Sequence, residues 1–219
     1  NVNDAPVGTV TISGTATEDQ TLTASNNLAD EDGLGAISYQ WNRDGAAVSG
    51  ATNATYTLTQ ADVGAAITVT ASYTDTPLNN TGTAESVTSA ATAQVTNVND
   101  APTGAVTISG TATEDQTLTA SNTLADEDGL GSLSYQWSHD GSDIAGATTM
   151  TYTLGQSDVG KTFRVTASYT DAQGGAESVT SAATASVANV NDVPLKELVS
   201  IQDEKVSKVL ELKLLTSST

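Results

Sequence analysis

The chain repeats itself. Residues 1–74 align with residues 97–170 without a gap, and 55 of the 74 positions are identical. Whatever fold the first copy adopts, the second adopts too, so the sequence is read as tandem modules. The hexapeptide Asn97-Val98-Asn99-Asp100-Ala101-Pro102 marks the period. It opens the chain at Asn1 to Pro6 and returns in altered form at Asn189 to Pro194, at spacings of 96 and 92 residues. Each spacing is the length of one small domain, just large enough to bury its own core. The organisation expected is repeat 1 over residues 1–96, repeat 2 over 97–188, a third linker motif at 189–194 and a non-repeat tail at 195–219.

Apolar residues come in short alternating runs separated by Gly, Asn, Asp and Ser, which is a strand pattern. In repeat 1 the runs place strands at Thr9 to Ser13, Gln20 to Ser25, Ile37 to Arg43, Thr55 to Thr59, Ala66 to Thr74 and Ser86 to Val95. Repeat 2 carries them at Ala105 to Ser109, Gln116 to Ser121, Leu133 to His139, Thr151 to Leu154, Thr162 to Thr170 and Ser178 to Val187. So many short strands per module describe an all-β fold of two tandem sandwiches. Between Asp75 and Glu85 the first copy carries a four-residue insertion relative to the second, which marks a surface loop. Each module has one tryptophan, in Ser38-Tyr39-Gln40-Trp41 and Ser134-Tyr135-Gln136-Trp137. With Tyr39 on the same face, Trp41 reads as a core pillar; the competing role for such an aromatic is sugar binding.

Charge and composition remove most function classes. With 26 acidic and 7 basic residues the net charge is −19, which disfavours nucleic acid and anionic membranes as partners. Cysteine is absent, so there are no disulfides, thiolate metal sites or cysteine nucleophiles, and a small extracellular domain would need another staple. The one histidine, His139, has Arg43 as its counterpart in the other copy, which leaves a Ser-His-Asp arrangement without support. No phosphate-binding Gly loop and no HExxH helix is present, and a non-enzymatic protein is expected. No apolar run has membrane-spanning length. The abrupt opening on the linker motif reads as a piece of a longer repetitive protein. Leu195 to Thr219 holds four of the seven basic residues and spaces its apolar residues closer to helical than to strand periodicity, with self-association through this tail as one role for it.

The chemistry that remains is carboxylate chemistry. Strand direction in a sandwich puts the loops carrying Glu18, Asp19 and Asp62 at the C-terminal end of repeat 1. The loops carrying Asp126, Asp128 and Asp171 fall at the N-terminal end of repeat 2, with Asn99 and Asp100 of the linker between. So many carboxylates in one place repel unless a cation sits among them. Hard oxygen donors without His or Cys suit Ca²⁺, and Asp126-Glu127-Asp128-Gly129 spaces alternate carboxylates to converge on one ion. Asp62 as a turn cap, and Asp30 to Gly33 as a plain turn, are the competing structural roles. Val10 to Asn26 and Leu28 to Gly35, which include Glu18, Asp19, Asp30 and Asp32, are identical between copies.

These residues resemble two known patterns. The Asn-Asp-Ala-Pro linker, Thr-Glu-Asp after the first strand and Asp-x-Asp in the second loop are similar to the calcium-binding pattern of cadherin repeats. Ser-Tyr-Gln-Trp, Thr-Tyr-Thr-Leu and Asp-Val-Gly resemble the tandem immunoglobulin-like repeats of giant bacterial adhesins, including the RTX type exported by type I secretion. The resemblance covers residues 1 to 192. It implies immunoglobulin-like or cadherin-like sandwiches acting as calcium-rigidified extenders at the bacterial cell surface, partnered by neighbouring repeats of the same chain. A carbohydrate-binding module, or a subunit of a surface layer or filament, are the alternative functions. Where this linker has Asn97 and Ala101, cadherin linkers usually have Asp and Asn.

Overall fold

The computed structural model describes residues 3–75 and 82–191. The tail from Leu195, the end of the third linker motif and most of the loop insertion lie outside the described residues. Among the described residues, every regular element longer than one turn is a strand. Repeat 1 contributes β1 (Val10–Ser13), β2 (Thr21–Asn26), β3 (Ser38–Arg43), β4 (Ala46–Ala47), β5 (Thr55–Thr57), β6 (Ile67–Thr74) and β7 (Ala84–Thr88). Repeat 2 contributes β8 (Val106–Ser109), β9 (Thr117–Asn122), β10 (Ser134–His139), β11 (Ser142–Asp143), β12 (Thr151–Thr153), β13 (Phe163–Thr170) and β14 (Ala176–Thr180). No helix among the described residues is long and apolar enough to cross a membrane.

Each repeat builds a three-stranded and a four-stranded sheet. The orders are β1-β2-β5 with β4-β3-β6-β7, and β8-β9-β12 with β11-β10-β13-β14. Period-2 alternation explains the packing. Along β6, Ile67, Val69, Ala71 and Tyr73 are buried while Thr68, Thr70 and Ser72 are less so. The two inner faces meet around Trp41, which is fully buried, stacks on Tyr56 at 5.6 Å between centroids and donates its indole N–H to Asn53 O at 2.9 Å. Trp137 is buried likewise and donates to Thr149 O at 2.8 Å. Both are core pillars, with the polar N–H satisfied as burial requires.

Two expected features take a different form. The sequence reading places no strand at Ala46, but Asp44-Gly45 forms a two-residue hairpin turn, with φ of 45° and 82°, that pairs Arg43 with Ala46. Asp-Gly is a strong signal for such a turn because both positions need the left-handed backbone. The last strand of each module, expected to run unbroken over Ser86 to Val95, stops at Thr88. There the chain bulges. Ser89 N–H donates to Val69 O and Thr92 N–H to Ile67 O, both at 2.9 Å, with Ala90 and Ala91 between them. In return, Val69 and Ile67 donate to the hydroxyls of Ser89 and Thr92 at 3.1 and 3.0 Å. Hydroxyl side chains thus replace the carbonyls that the bulge turns away.

The bulge redirects the chain toward the loop after β1. Val95 N–H donates to Ala65 O, Thr96 N–H to Ala16 O and Glu18 N–H to Thr96 O, at 2.9, 3.0 and 2.9 Å. By compactness, one unit comprises Asn1–Thr103, Ala125–Ser132 and Thr170–Glu177, and the other Gly104–Leu124, Leu133–Tyr169 and Ser178–Thr219. The first unit therefore contains the linker at Asn97 to Pro102 and two acidic loops of the second repeat.

Candidate metal centre

Glu18 sits in a tight turn after β1, closed by the Gln20 N–H bond to Thr17 O at 3.1 Å, with Asp19 left-handed at φ 62°. This turn and the paired chain end bury Glu18 to 1% exposure. Val98 N–H donates to its Oε2 at 3.1 Å. In the orientation that satisfies its neighbours, the Gln60 amide donates to Glu18 Oε1 at 2.7 Å.

Asp128 lies in the loop after β9. Its own N–H donates to Asp126 Oδ1 at 2.9 Å and Gly129 N–H to Asp126 O at 3.1 Å, so Asp126 shapes the turn that presents Asp128. Asp128 is 2% exposed, and its Oδ2 accepts the Asp100 N–H at 2.7 Å. That bond sets the linker so that one carboxylate oxygen each of Glu18, Asp100 and Asp128 lie within 4.8 Å of one another. No cationic side chain forms an ion pair with any of the three among the described residues.

The electrostatics are those of crowded like charges. Burial pushes the Glu18 carboxyl above its ordinary value, Asp100, Asp128 and Asp19 push it further, and only the Val98 N–H works the other way. Asp100 is likewise raised, by desolvation and by Asp128, Asp19 and Asp126. Three converging oxygen donors with no nitrogen or sulfur ligand form a set that fits a hard cation such as Ca²⁺.

The remaining expected ligands divide. Asp19 is exposed and stays close enough to act on Glu18 and Asp100 through its charge. Asn99 donates its amide to Glu177 Oε1 at 2.7 Å. Asp171, in the loop after β13, is 6% exposed; its Oδ1 accepts from Gln173 N–H and Gly175 N–H, both at 2.8 Å, and its Oδ2 has no hydrogen-bond partner among the described residues.

Asp62 does not join the cluster. It is fully buried and its carboxylate caps the 3-10 turn Gln60–Asp62, accepting from Thr59 N–H at 2.9 Å, Tyr56 O–H at 2.9 Å and Arg43 Nε at 2.7 Å. The capping role weighed at the sequence level is the one its geometry serves.

Gln60 and Glu177 are contacts that sequence reasoning missed. Both are unchanged in the other copy, as Gln156 and Glu85, which is the one signal that pointed to them. The same parts recur elsewhere in the chain. Asp4 N–H donates to Asp32 Oδ2 at 2.9 Å and Asn3 donates to Glu85 Oε1 at 2.7 Å. In the second repeat, Glu114 is 3% exposed and accepts Val190 N–H at 3.1 Å.

None of the Trp, Tyr or Phe side chains is fully exposed; Tyr39, Tyr56, Tyr135 and Tyr152 are half-buried. The sequence matches no protein-family model, and no curated protein matches it.

Proposed function

We propose that this chain is a non-enzymatic spacer whose linker is stiffened by Ca²⁺, an extender within a secreted or cell-surface adhesin that holds a distal binding domain away from its base. The observation that carries this is the convergence of Glu18, Asp100 and Asp128 within 4.8 Å. Two of the three are buried, and burying adjacent carboxylates is unfavourable unless they are protonated or bridged by a cation. A bound Ca²⁺ neutralises them and ties Asp100 of the linker to two loops at once. The linker loses freedom and the spacer gains length persistence.

The same linkage couples folding to location. An ion that binds only the folded chain contributes about 2.7 kcal/mol at one hundred times its Kd, a large share of the stability of a small domain. Where calcium is scarce the chain is easier to keep unfolded for export; where it is plentiful the chain folds and stiffens. Thermal melting in calcium and in EGTA, with small-angle scattering in both, tests the reading. A higher Tm and a longer, narrower particle in calcium support it, and unchanged Tm and dimensions overturn it.

A further inference from the structure

The turn that leads into β5 holds a motif that neither the core nor the acidic cluster uses, Asn53-Ala54-Thr55. Asparagine two residues before threonine, with no proline between, is the acceptor pattern for N-linked glycosylation. So short a pattern arises by chance in a chain rich in Asn and Thr, and its surroundings decide what it means. Asn53 turns its main chain inward. Its carbonyl accepts the Trp41 indole N–H at 2.9 Å, and the carbonyl of Ala54 accepts the Ala24 N–H at 2.8 Å, so the turn is pinned to the core from beneath. Thr52, Asn53, Ala54 and Thr55 are all exposed. Neither the Asn53 amide nor the Thr55 hydroxyl makes a hydrogen bond among the described residues, whereas Thr57, further along the strand, shares its hydroxyl with Thr21 Oγ1 at 3.1 Å. β5 is the outer strand of its sheet and pairs with β2 on one side only, which leaves the motif open to an enzyme approaching that edge.

We propose that Asn53 is an acceptor for a glycosyltransferase, which joins its side-chain amide to a hexose taken from a nucleoside-diphosphate sugar. In that step Asn53 Nδ2 forms a bond to the anomeric carbon of the sugar and the bond from that carbon to the diphosphate oxygen breaks. The nucleoside diphosphate leaves with the electron pair, and one amide proton is released. Thr55 supplies the hydroxyl that the transferase reads two residues on. Because the main chain of the turn carries its contacts to the core, the sugar is added without breaking a bond that the fold uses. The site is particular to repeat 1. In repeat 2 the aligned residues are Thr149, Met150 and Thr151, and Thr149 turns its hydroxyl onto Thr151 O at 2.7 Å. A hexose at Asn53 adds bulk and hydration to the flank of repeat 1. The proposal is independent of the calcium reading, since Asn53 is not among the residues of the acidic cluster.

Incubating the folded full chain with UDP-glucose and a soluble glucosyltransferase that recognises Asn-x-Ser/Thr tests it, with intact mass and peptide mapping as the readout. The expected product carries a hexose on Asn53. Asn53→Gln and Thr55→Ala should abolish that hexose, and Thr55→Ser, which keeps the hydroxyl, should retain it. Circular dichroism of the three variants should remain that of wild type, so that a lost hexose reports the acceptor and not the fold. The sequence holds a second match, Asn79-Asn80-Thr81, outside the described residues, and it supplies the contrary outcome. Hexose confined to Asn79 overturns the proposal, as does a T55A chain that still carries hexose on Asn53. A chain that accepts hexose at Asn53 only after proteolysis overturns it too, because the fold then hides the motif.

Discussion

The main-chain N–H of Asp100 donates to Oδ2 of Asp128 at 2.7 Å. This bond draws a third carboxylate, that of Asp100 itself, toward Glu18 and Asp128. The linker motif is therefore both the divider between repeats and the source of one carboxylate of the acidic cluster. The same bond joins Asp4 to Asp32 at 2.9 Å, so the geometry belongs to the repeat rather than to one copy of it.

Glu18→Gln should change stability in opposite directions with and without calcium. In EGTA the ionised Glu18 is unfavourable, because burial and its acidic neighbours raise its carboxyl, so the neutral amide stabilises. In saturating calcium the variant lacks a ligand and forfeits much of the linkage gain, of order 2 kcal/mol. Melting curves of both proteins in both buffers should cross in order; a variant weaker in both buffers argues for a purely structural Glu18.

Arg43→Gln should destabilise repeat 1 by about 3 kcal/mol, since it leaves the fully buried Asp62 without its charged partner. The acid limb follows the same pair. Burial raises the Asp62 carboxyl, but the Arg43, Thr59 and Tyr56 hydrogen bonds outweigh it and hold the folded value below the ordinary 3.8. A depressed folded pKa gives stability that is present above the unfolded value and lost as pH falls through the folded one. In R43Q that loss should begin at higher pH. Fluorescence of Trp41 in a Trp137→Phe background, followed during acid titration, reads it.

Much of this was legible in the sequence, for identifiable reasons. Alternation located the strands and the buried tryptophans because those depend on neighbours two residues apart. Glu18, Asp100 and Asp128 were reached through loop placement alone, since strand direction decides which loops share an end. What escaped depends on contacts between distant residues. By sequence Asp62 suits a turn cap and a metal ligand alike; the Arg43 guanidinium beside it comes from a distant strand, and no local pattern distinguishes a ligand from a partner in an ion pair. The break at Ser89 was hidden because Ser and Thr suit strands and bulges alike. Gly175 reads only as part of a loop, as the close approach of Asn99 and Asp171 to it is defined by another segment.

Ser181→Ala should cost about 2 kcal/mol, because the buried Val165 N–H then loses its acceptor, Ser181 Oγ at 3.1 Å. Urea unfolding reports it through Trp137, with Thr180→Ala, at a more exposed hydroxyl, as a near-neutral control.

Trp41→Ala should cost about 4 kcal/mol by opening a cavity at the centre of the first core. Calorimetry of the two-repeat chain should register it as the loss or downward shift of one of two transitions, with the repeat 2 transition keeping its midpoint; movement of both by the same amount would contradict two separate cores.

The most direct test of the account is a crystal structure of the chain grown in calcium and recorded at a wavelength where calcium scatters anomalously. A bound Ca²⁺ would give an anomalous peak among Glu18, Asp100 and Asp128, with carboxylate oxygens from all three at about 2.3 to 2.6 Å. A water there at ordinary hydrogen-bond distances, with no anomalous signal at saturating calcium, would contradict it.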